Sequence, residues 1–167
     1  DFEDGIMRWN TIDGDGDGFN WEMREIYAVP GNTHCVTSAS FDDWTQTVLT
    51  PENYIVTPYK LDCEQITFKA QAQDQLHPSE HFGVAVSTTD GLVAEDFEIV
   101  WESDLTAKTV GEWYDFNIDL RAYQGQDIFV SIVHFNCTNQ FSINVDDIML
   151  YRVYDPFVSV DENSISM

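Results

Sequence analysis

Ile66-Thr67-Phe68-Lys69-Ala70-Gln71-Ala72 sets Ile66, Phe68, Ala70 and Ala72 on one side of an extended chain and Thr67, Lys69 and Gln71 on the other. A period of two marks a half-buried strand. The same alternation runs through Phe82-Gly83-Val84-Ala85-Val86-Ser87, through Trp113 to Leu120, and from Phe141 to Leu150, where it turns apolar. Asp127 to Phe135 is β-branched and apolar on both faces, which predicts a central strand covered on both sides. Turn residues punctuate these runs at Pro30-Gly31-Asn32, Pro51-Glu52-Asn53, His77-Pro78-Ser79, Asp90-Gly91 and Gln124-Gly125-Gln126. Helical periodicity is hard to find anywhere. The pattern predicts an all-β sandwich or barrel.

The chain has 167 residues, enough for one domain with a short tail. The pattern fades after Tyr154, so residues 1–154 are read as the domain and 155–167 as a linker or the start of a following module. The start at Asp1-Phe2-Glu3, without Met, reads as a fragment or a mature domain. Thirty acidic residues stand against seven Lys and Arg, a net charge of −23. A duplex binder needs a basic stripe, so nucleic acid is excluded as a partner, and anionic membrane surfaces are disfavoured likewise. No apolar run reaches the roughly 18 residues of a membrane span, and no signal peptide opens the chain. So large an excess of carboxylates calls for bound cations, calcium first. The three cysteines, Cys35, Cys63 and Cys137, are too few for a disulfide scaffold and read as small buried residues, with one bridge plus a free thiol as the alternative.

Asp13-Gly14-Asp15-Gly16-Asp17-Gly18 carries carboxylates at alternate positions with glycines between them. Calcium takes six to eight oxygen ligands, and glycine lets the backbone curl enough for alternate carboxylates to converge on one ion. The stretch is not an EF-hand, because Arg24 stands where the closing Glu belongs, and Trp9-Asn10-Thr11-Ile12 enters it like a strand. A calcium loop on a β scaffold is expected, its remaining ligands coming from carbonyls, Glu22 or a distant carboxylate. In a sandwich the first and last strands often pair, which would bring Glu3 together with Asp146-Asp147 around a second ion. Glu80 shares parity with Phe82, Val84 and Val86, so it starts a strand on the apolar face and needs an ion or a hydrogen-bonding partner there.

Catalytic signatures are absent. Asp146-Asp147 and Asp42-Asp43 point to opposite faces of a strand, and neither pair can flank one glycosidic bond. There is no GxSxG or Ser-x-x-Lys, and the side chains of His34 and Cys35 diverge on an extended chain. The four histidines have no zinc spacing, and His134 reads as a satisfied core imidazole. Of the five tryptophans, Trp101 and Trp113 lie on patterned strands and read as core. Trp21 and Trp44 lie beside polar loops and are the candidates for an exposed ligand-binding platform.

Several blocks, taken together and in order, carry a family resemblance. They include Phe2-Glu3-Asp4-Gly5-Ile6, the aspartate loop with Trp21, Pro51-Glu52-Asn53-Tyr54-Ile55-Val56-Thr57-Pro58, and Ser79-Glu80-His81-Phe82-Gly83-Val84. His134-Phe135-Asn136-Cys137-Thr138 and Ile143-Asn144-Val145-Asp146-Asp147-Ile148 complete the set. Over residues 1–151 the chain resembles the cleaved-adhesin domains, the haemagglutinin/adhesin modules of gingipain proteases and related bacterial surface proteins. The resemblance implies a jelly-roll β-sandwich with calcium-binding loops, similar to carbohydrate-binding and MAM-like modules. It also implies a non-catalytic module, not an enzyme, in a secreted or cell-surface bacterial protein. One ion would use Asp13, Asp15 and Asp17, and a second Glu3 and Asp146 with Asp147 beside them. The family usually has Ala where this chain has Gly14, which is expected to loosen the loop, and Asp where it has Asn139.

The expected function is a calcium-stabilised adhesin module that binds host proteins or surface glycans, with two structural Ca²⁺ ions and other domains of a multidomain parent as neighbours. The alternative is a carbohydrate-binding module accessory to a tethered hydrolase, and a third reading is a bare spacer.

Overall fold

The computed structural model describes residues 2–106 and 111–152. The segment 155–167, and with it the boundary at 154, lies outside the described residues. The strands are β1 (Asn10–Asp13), β2 (Glu22–Arg24), β3 (Cys35–Ala39), β4 (Phe41–Asp42), β5 (Thr47–Val48) and β6 (Asn53–Val56). They continue as β7 (Gln65–Ala72), β8 (His81–Ser87), β9 (Glu98–Asp104), β10 (Tyr114–Asp119), β11 (Phe129–His134) and β12 (Ser142–Tyr151). Among the described residues the helical turns are short 3₁₀ segments, Ile6–Arg8, Ala94–Asp96 and Arg121–Tyr123.

The strands form two antiparallel five-stranded sheets, ordered β1-β6-β11-β8-β9 and β10-β7-β12-β3-β2. β4 and β5 make a small separate hairpin. The alternation at residues 66–72 becomes β7, with Ile66, Phe68, Ala70 and Ala72 buried between the sheets. Phe68, Phe82, Phe116 and Trp101 interlock there, Phe68 stacking on Phe116 at 5.2 Å and Phe82 meeting Trp101 edge-on at 5.5 Å. Burial of Phe68 or Phe82 contributes about 1.5–3 kcal/mol. β11 is central as its sequence predicts: Val130 and Ile132 enter the core while Val133 joins Tyr54, Val56 and Ala85 on the outer face.

The first and last strands do not pair. β1 pairs with β6, whereas β12 lies in the opposite sheet between β7 and β3. Ile12 packs on the outer apolar cluster of the first sheet, which fixes β1 there. β12 carries an irregularity between Asp146 and Met149, with Asp147 at φ 53°. This bulge aims two adjacent carboxylates at the segment that leads into β3.

Candidate functional site

β1 ends at Asp13, and the backbone then curls back on that side chain. Asp13 Oδ1 accepts from the Gly16 amide at 2.8 Å and Oδ2 from the Gly18 amide at 2.9 Å. Asp17 Oδ1 accepts from the Phe19 amide at 2.7 Å. Gly16 (φ 71°) and Gly18 (φ 86°) take the left-handed conformations that this curl requires. As a result one oxygen each of Asp13, Asp15 and Asp17 comes within 4.8 Å of the others. No Lys, Arg or His pairs with these carboxylates among the described residues. Burial, the hydrogen bond to Asp13 and the charges of Asp17 and Asp13 push Asp15 up to about 6. Burial opposes ionisation of Asp13 too, but the Gly18 amide, the bond with Asp15 and the Gly16 and Asp17 amides outweigh it and hold that carboxyl low. Three convergent carboxylates with no cation beside them suit a hard divalent cation.

Gly14 does not loosen this loop. Its amide donates to the Glu52 carbonyl at 2.8 Å, and a Cβ there would stand 2.7 Å from the same oxygen. The missing methyl lets the loop dock directly against the chain entering β6. Glu22, a candidate further ligand, lies on β2 and pairs with Arg24.

Glu3, Asp146 and Asp147 reach the same connecting segment without converging. Glu3 accepts from the Thr33 amide at 2.8 Å, the Thr33 hydroxyl at 2.5 Å and the His34 amide at 3.0 Å. The Thr33 hydroxyl and amide lead the causes that lower its carboxyl to about 2. Asp146 is fully buried and accepts from the Val29 amide at 3.2 Å and Asn32 Nδ2 at 3.0 Å, and Asp147 accepts from the same Nδ2 at 2.8 Å. One short segment, residues 29–34, therefore ties the chain start to the β12 bulge.

Glu80 is fully buried, and four polar groups surround it. Oε1 accepts from Ser40 Oγ at 3.1 Å and the Phe141 amide at 2.7 Å. Oε2 lies 3.0 Å from His134 Nε2 and 3.4 Å from Cys137 Sγ. The neighbours of Oε2 are nitrogen and sulfur atoms, not the oxygens that calcium prefers, so Glu80 does not fit the calcium role. The sequence reading missed this cluster, because Glu80 is remote from the only local signal, His134-x-x-Cys137. Burial, followed by the charge of Glu80, raises the Cys137 thiol far above its usual range, and burial pushes Cys35 up to about 12. The three cysteines are not paired with one another. Cys35 Sγ donates to the Ile26 carbonyl while His34 turns to Glu3, so the two form no dyad.

Trp21 corrects the expectation of exposure. It is 4% exposed, donates Nε1 to the Asn53 carbonyl at 2.9 Å and packs against His134. A ring this buried is a core residue and offers no sugar platform. Trp44 is 94% exposed at the tip of the β4–β5 hairpin. It borders a cavity of about 690 Å³ on the outer face of the second sheet, together with Arg24, Tyr27, Phe41, Asp42 and Ser142. Beside this cavity a polar row crosses the sheet, Glu22 to Thr37 to Asn144 to Gln71. Gln71 Nε2 donates to the Tyr27 carbonyl, so the segment that follows β2 covers part of this row.

The sequence pattern of the Cleaved Adhesin Domain matches residues 2–150. Hemagglutinin A of Porphyromonas gingivalis strain W83 is 36% identical over 90% of this chain, and Lys-gingipain W83 of the same species is 36% identical over the same share. The chain spans only 8% and 10% of those two proteins. The crystal structure of the K1 cleaved adhesin domain of Lys-gingipain superposes with a TM-score of 0.78 at 33% identity, covering 88% of this chain and 92% of that one. The K3 domain gives 0.76 at 36% identity, covering 92% and 97%. A family 61 carbohydrate-binding module solved with β-1,4-galactotriose gives 0.56 at 14% identity, covering 89% and 90%, which is a likeness of fold. No helix among the described residues is long and apolar enough to cross a membrane.

Proposed function

The chain belongs to the cleaved-adhesin family, and from that premise we propose that it is a calcium-stabilised, non-catalytic adhesion module of a secreted or cell-surface bacterial protein. It binds a host protein or surface glycan through its loops and the outer face of the second sheet. The convergence of Asp13, Asp15 and Asp17 carries the calcium part of the reading. Those three side chains would hold one Ca²⁺, with oxygen donors still needed to complete six to eight ligands. When bound, calcium supplies fixed positive charge and no chemistry. The protein's part is to fold β1, the curl and β6 into one rigid corner, against which the edge of the cavity is set.

The carbohydrate-binding reading is favoured by Trp44, whose exposed ring borders a polar cavity. Aromatic faces stack on the apolar sides of pyranose rings, and Arg24 and Asp42, which line the same cavity, suit sugar hydroxyls. A binding screen against glycans and host extracellular proteins, in millimolar calcium and in EDTA, tests the proposal. A calcium-dependent ligand is expected. A glycan lost with Trp44→Ala selects the carbohydrate reading, and a protein ligand that survives the change selects the general adhesin reading. Silence in both arms overturns the binding role and leaves a spacer.

A further inference from the structure

Glu80, His134 and Cys137 reach one point from three places in the chain. Glu80 immediately precedes β8, His134 ends β11, and Cys137 lies in the turn that leads to β12. Nε2 stands 3.0 Å from Sγ and 3.0 Å from Oε2, and Sγ stands 3.4 Å from Oε2. With Glu80 as a carboxylate, the thiol and the imidazole bring two protons to a triangle of three close edges. If the thiol donates to Nε2, the imidazole and carboxylate face each other lone pair to lone pair. If both donors turn to Oε2, sulfur and nitrogen meet without a proton between them. One edge is left unsatisfied either way, inside the protein, where such contacts are costly.

We propose that Glu80 Oε2, His134 Nε2 and Cys137 Sγ form a binding site for a divalent transition-metal ion, zinc by the softness of the donors. One ion satisfies all three lone pairs at once. A tetrahedral zinc with bonds of about 2.0–2.3 Å sets its ligands about 3.3–3.5 Å apart, so this triangle expands by no more than about half an ångström to admit it. Oxygen, nitrogen and sulfur together suit zinc and exclude calcium. Charge balances as well. Binding displaces the thiol proton to solvent, and a thiolate and a carboxylate neutralise the dication, leaving no net charge buried.

The surroundings hold the ligands in place. His134 Nδ1 contacts Ser38 Oγ at 2.8 Å, and Ser38 Oγ accepts from Asn53 Nδ2 at 3.1 Å, which orients the ring with Nε2 toward the site. The other oxygen of Glu80 is fixed by Ser40 and the Phe141 amide. Cys137 borders a second cavity, about 630 Å³, shared with Asp15, Thr50 and Glu52. The ion enters from this side, drawn by the two carboxylates, and water from the cavity supplies the fourth ligand. The metal fastens the turn after β11 to the entrance of β8. None of the three ligands belongs to the aspartate loop, whose Asp15 lies at the mouth of this cavity.

Titration of the reduced, metal-free chain with Co²⁺ and then Zn²⁺ tests this. One equivalent of Co²⁺ is expected to give tetrahedral visible bands with a near-ultraviolet thiolate-to-cobalt absorption. Equimolar Zn²⁺ should displace it and millimolar Ca²⁺ should not. Cys137→Ser should abolish the thiolate absorption, while Cys35→Ser and Cys63→Ser retain it. Ser38→Ala should weaken binding by about 10–100-fold. If Cys137→Ser proves unfolded by circular dichroism, alkylation of the unaltered chain replaces it, with Zn²⁺ selectively protecting Cys137. No thiolate absorption, its survival in folded Cys137→Ser, its loss to calcium, or unprotected Cys137 would each overturn the proposal.

Discussion

Gly14→Ala is a one-methyl change at the hinge of the aspartate loop. Its Cβ would lie 2.7 Å from the Glu52 carbonyl, and the atom it meets is backbone entering β6, which cannot swing aside. The loop must lift by about half an ångström or more to restore ordinary van der Waals separation. Overpacking of this kind costs about 1–3 kcal/mol, and weakening the Gly14–Glu52 hydrogen bond costs about 1 kcal/mol more. Restricting the unfolded chain returns about 0.4–1 kcal/mol. The net loss is about 1–3.5 kcal/mol, which in a domain of this size lowers the melting midpoint by about 2–14 °C. Differential scanning calorimetry in EDTA reads the loss directly. Calcium titration should also show affinity reduced on the order of tenfold, because Asp13 and Asp15 flank the displaced residue. An unchanged or higher midpoint would refute the reasoning, showing that the loop is not anchored through Gly14.

Trp21→Ala should destabilise the domain by about 3–5 kcal/mol in chemical denaturation, as expected for a large core side chain, whereas Trp44→Ala should stay within about 0.5 kcal/mol. Equal effects would contradict the burial difference between them. Glu3 should titrate near pH 2 in the metal-free protein, followed by carboxyl NMR, instead of at its ordinary 4.5. Its folded-state value is depressed, so its contribution to stability is complete above about 4.5 and is lost as pH falls toward 2. Thr33→Val should move the midpoint upward, and an ordinary midpoint in the unaltered protein would refute the Thr33 anchor.

Strands with one wet face were the most legible part of the sequence: β7 and β10 alternate cleanly because one side of each meets the core. β9 was not legible. Its register slips between Val84 and Ala85, pairing Trp101 and Ile99 with consecutive residues and leaving Val100 extra, so the run Glu98–Asp104 breaks the period of two. The aspartate loop was readable because its three carboxylates lie at alternate positions of one short stretch. The relation of Glu3 to Asp146 was misjudged through strand pairing, since residues 29–34, not a shared ladder, connect them. Trp21 looked exposed because polar residues flank it, but its indole reaches across to Asn53. The Glu80 cluster was invisible for a similar reason: topology assembles it from β8, β11 and the turn beyond.

Thermal unfolding in millimolar calcium and in EDTA tests the proposed function most directly. At a hundredfold excess over Kd, a ligand held by the folded state alone adds roughly 2.7 kcal/mol. For a domain of this size that raises the midpoint by about 5–10 °C. The shift should reverse on adding EDTA and disappear in Asp15→Asn combined with Asp17→Asn. Identical melts with and without calcium would contradict a calcium-stabilised module.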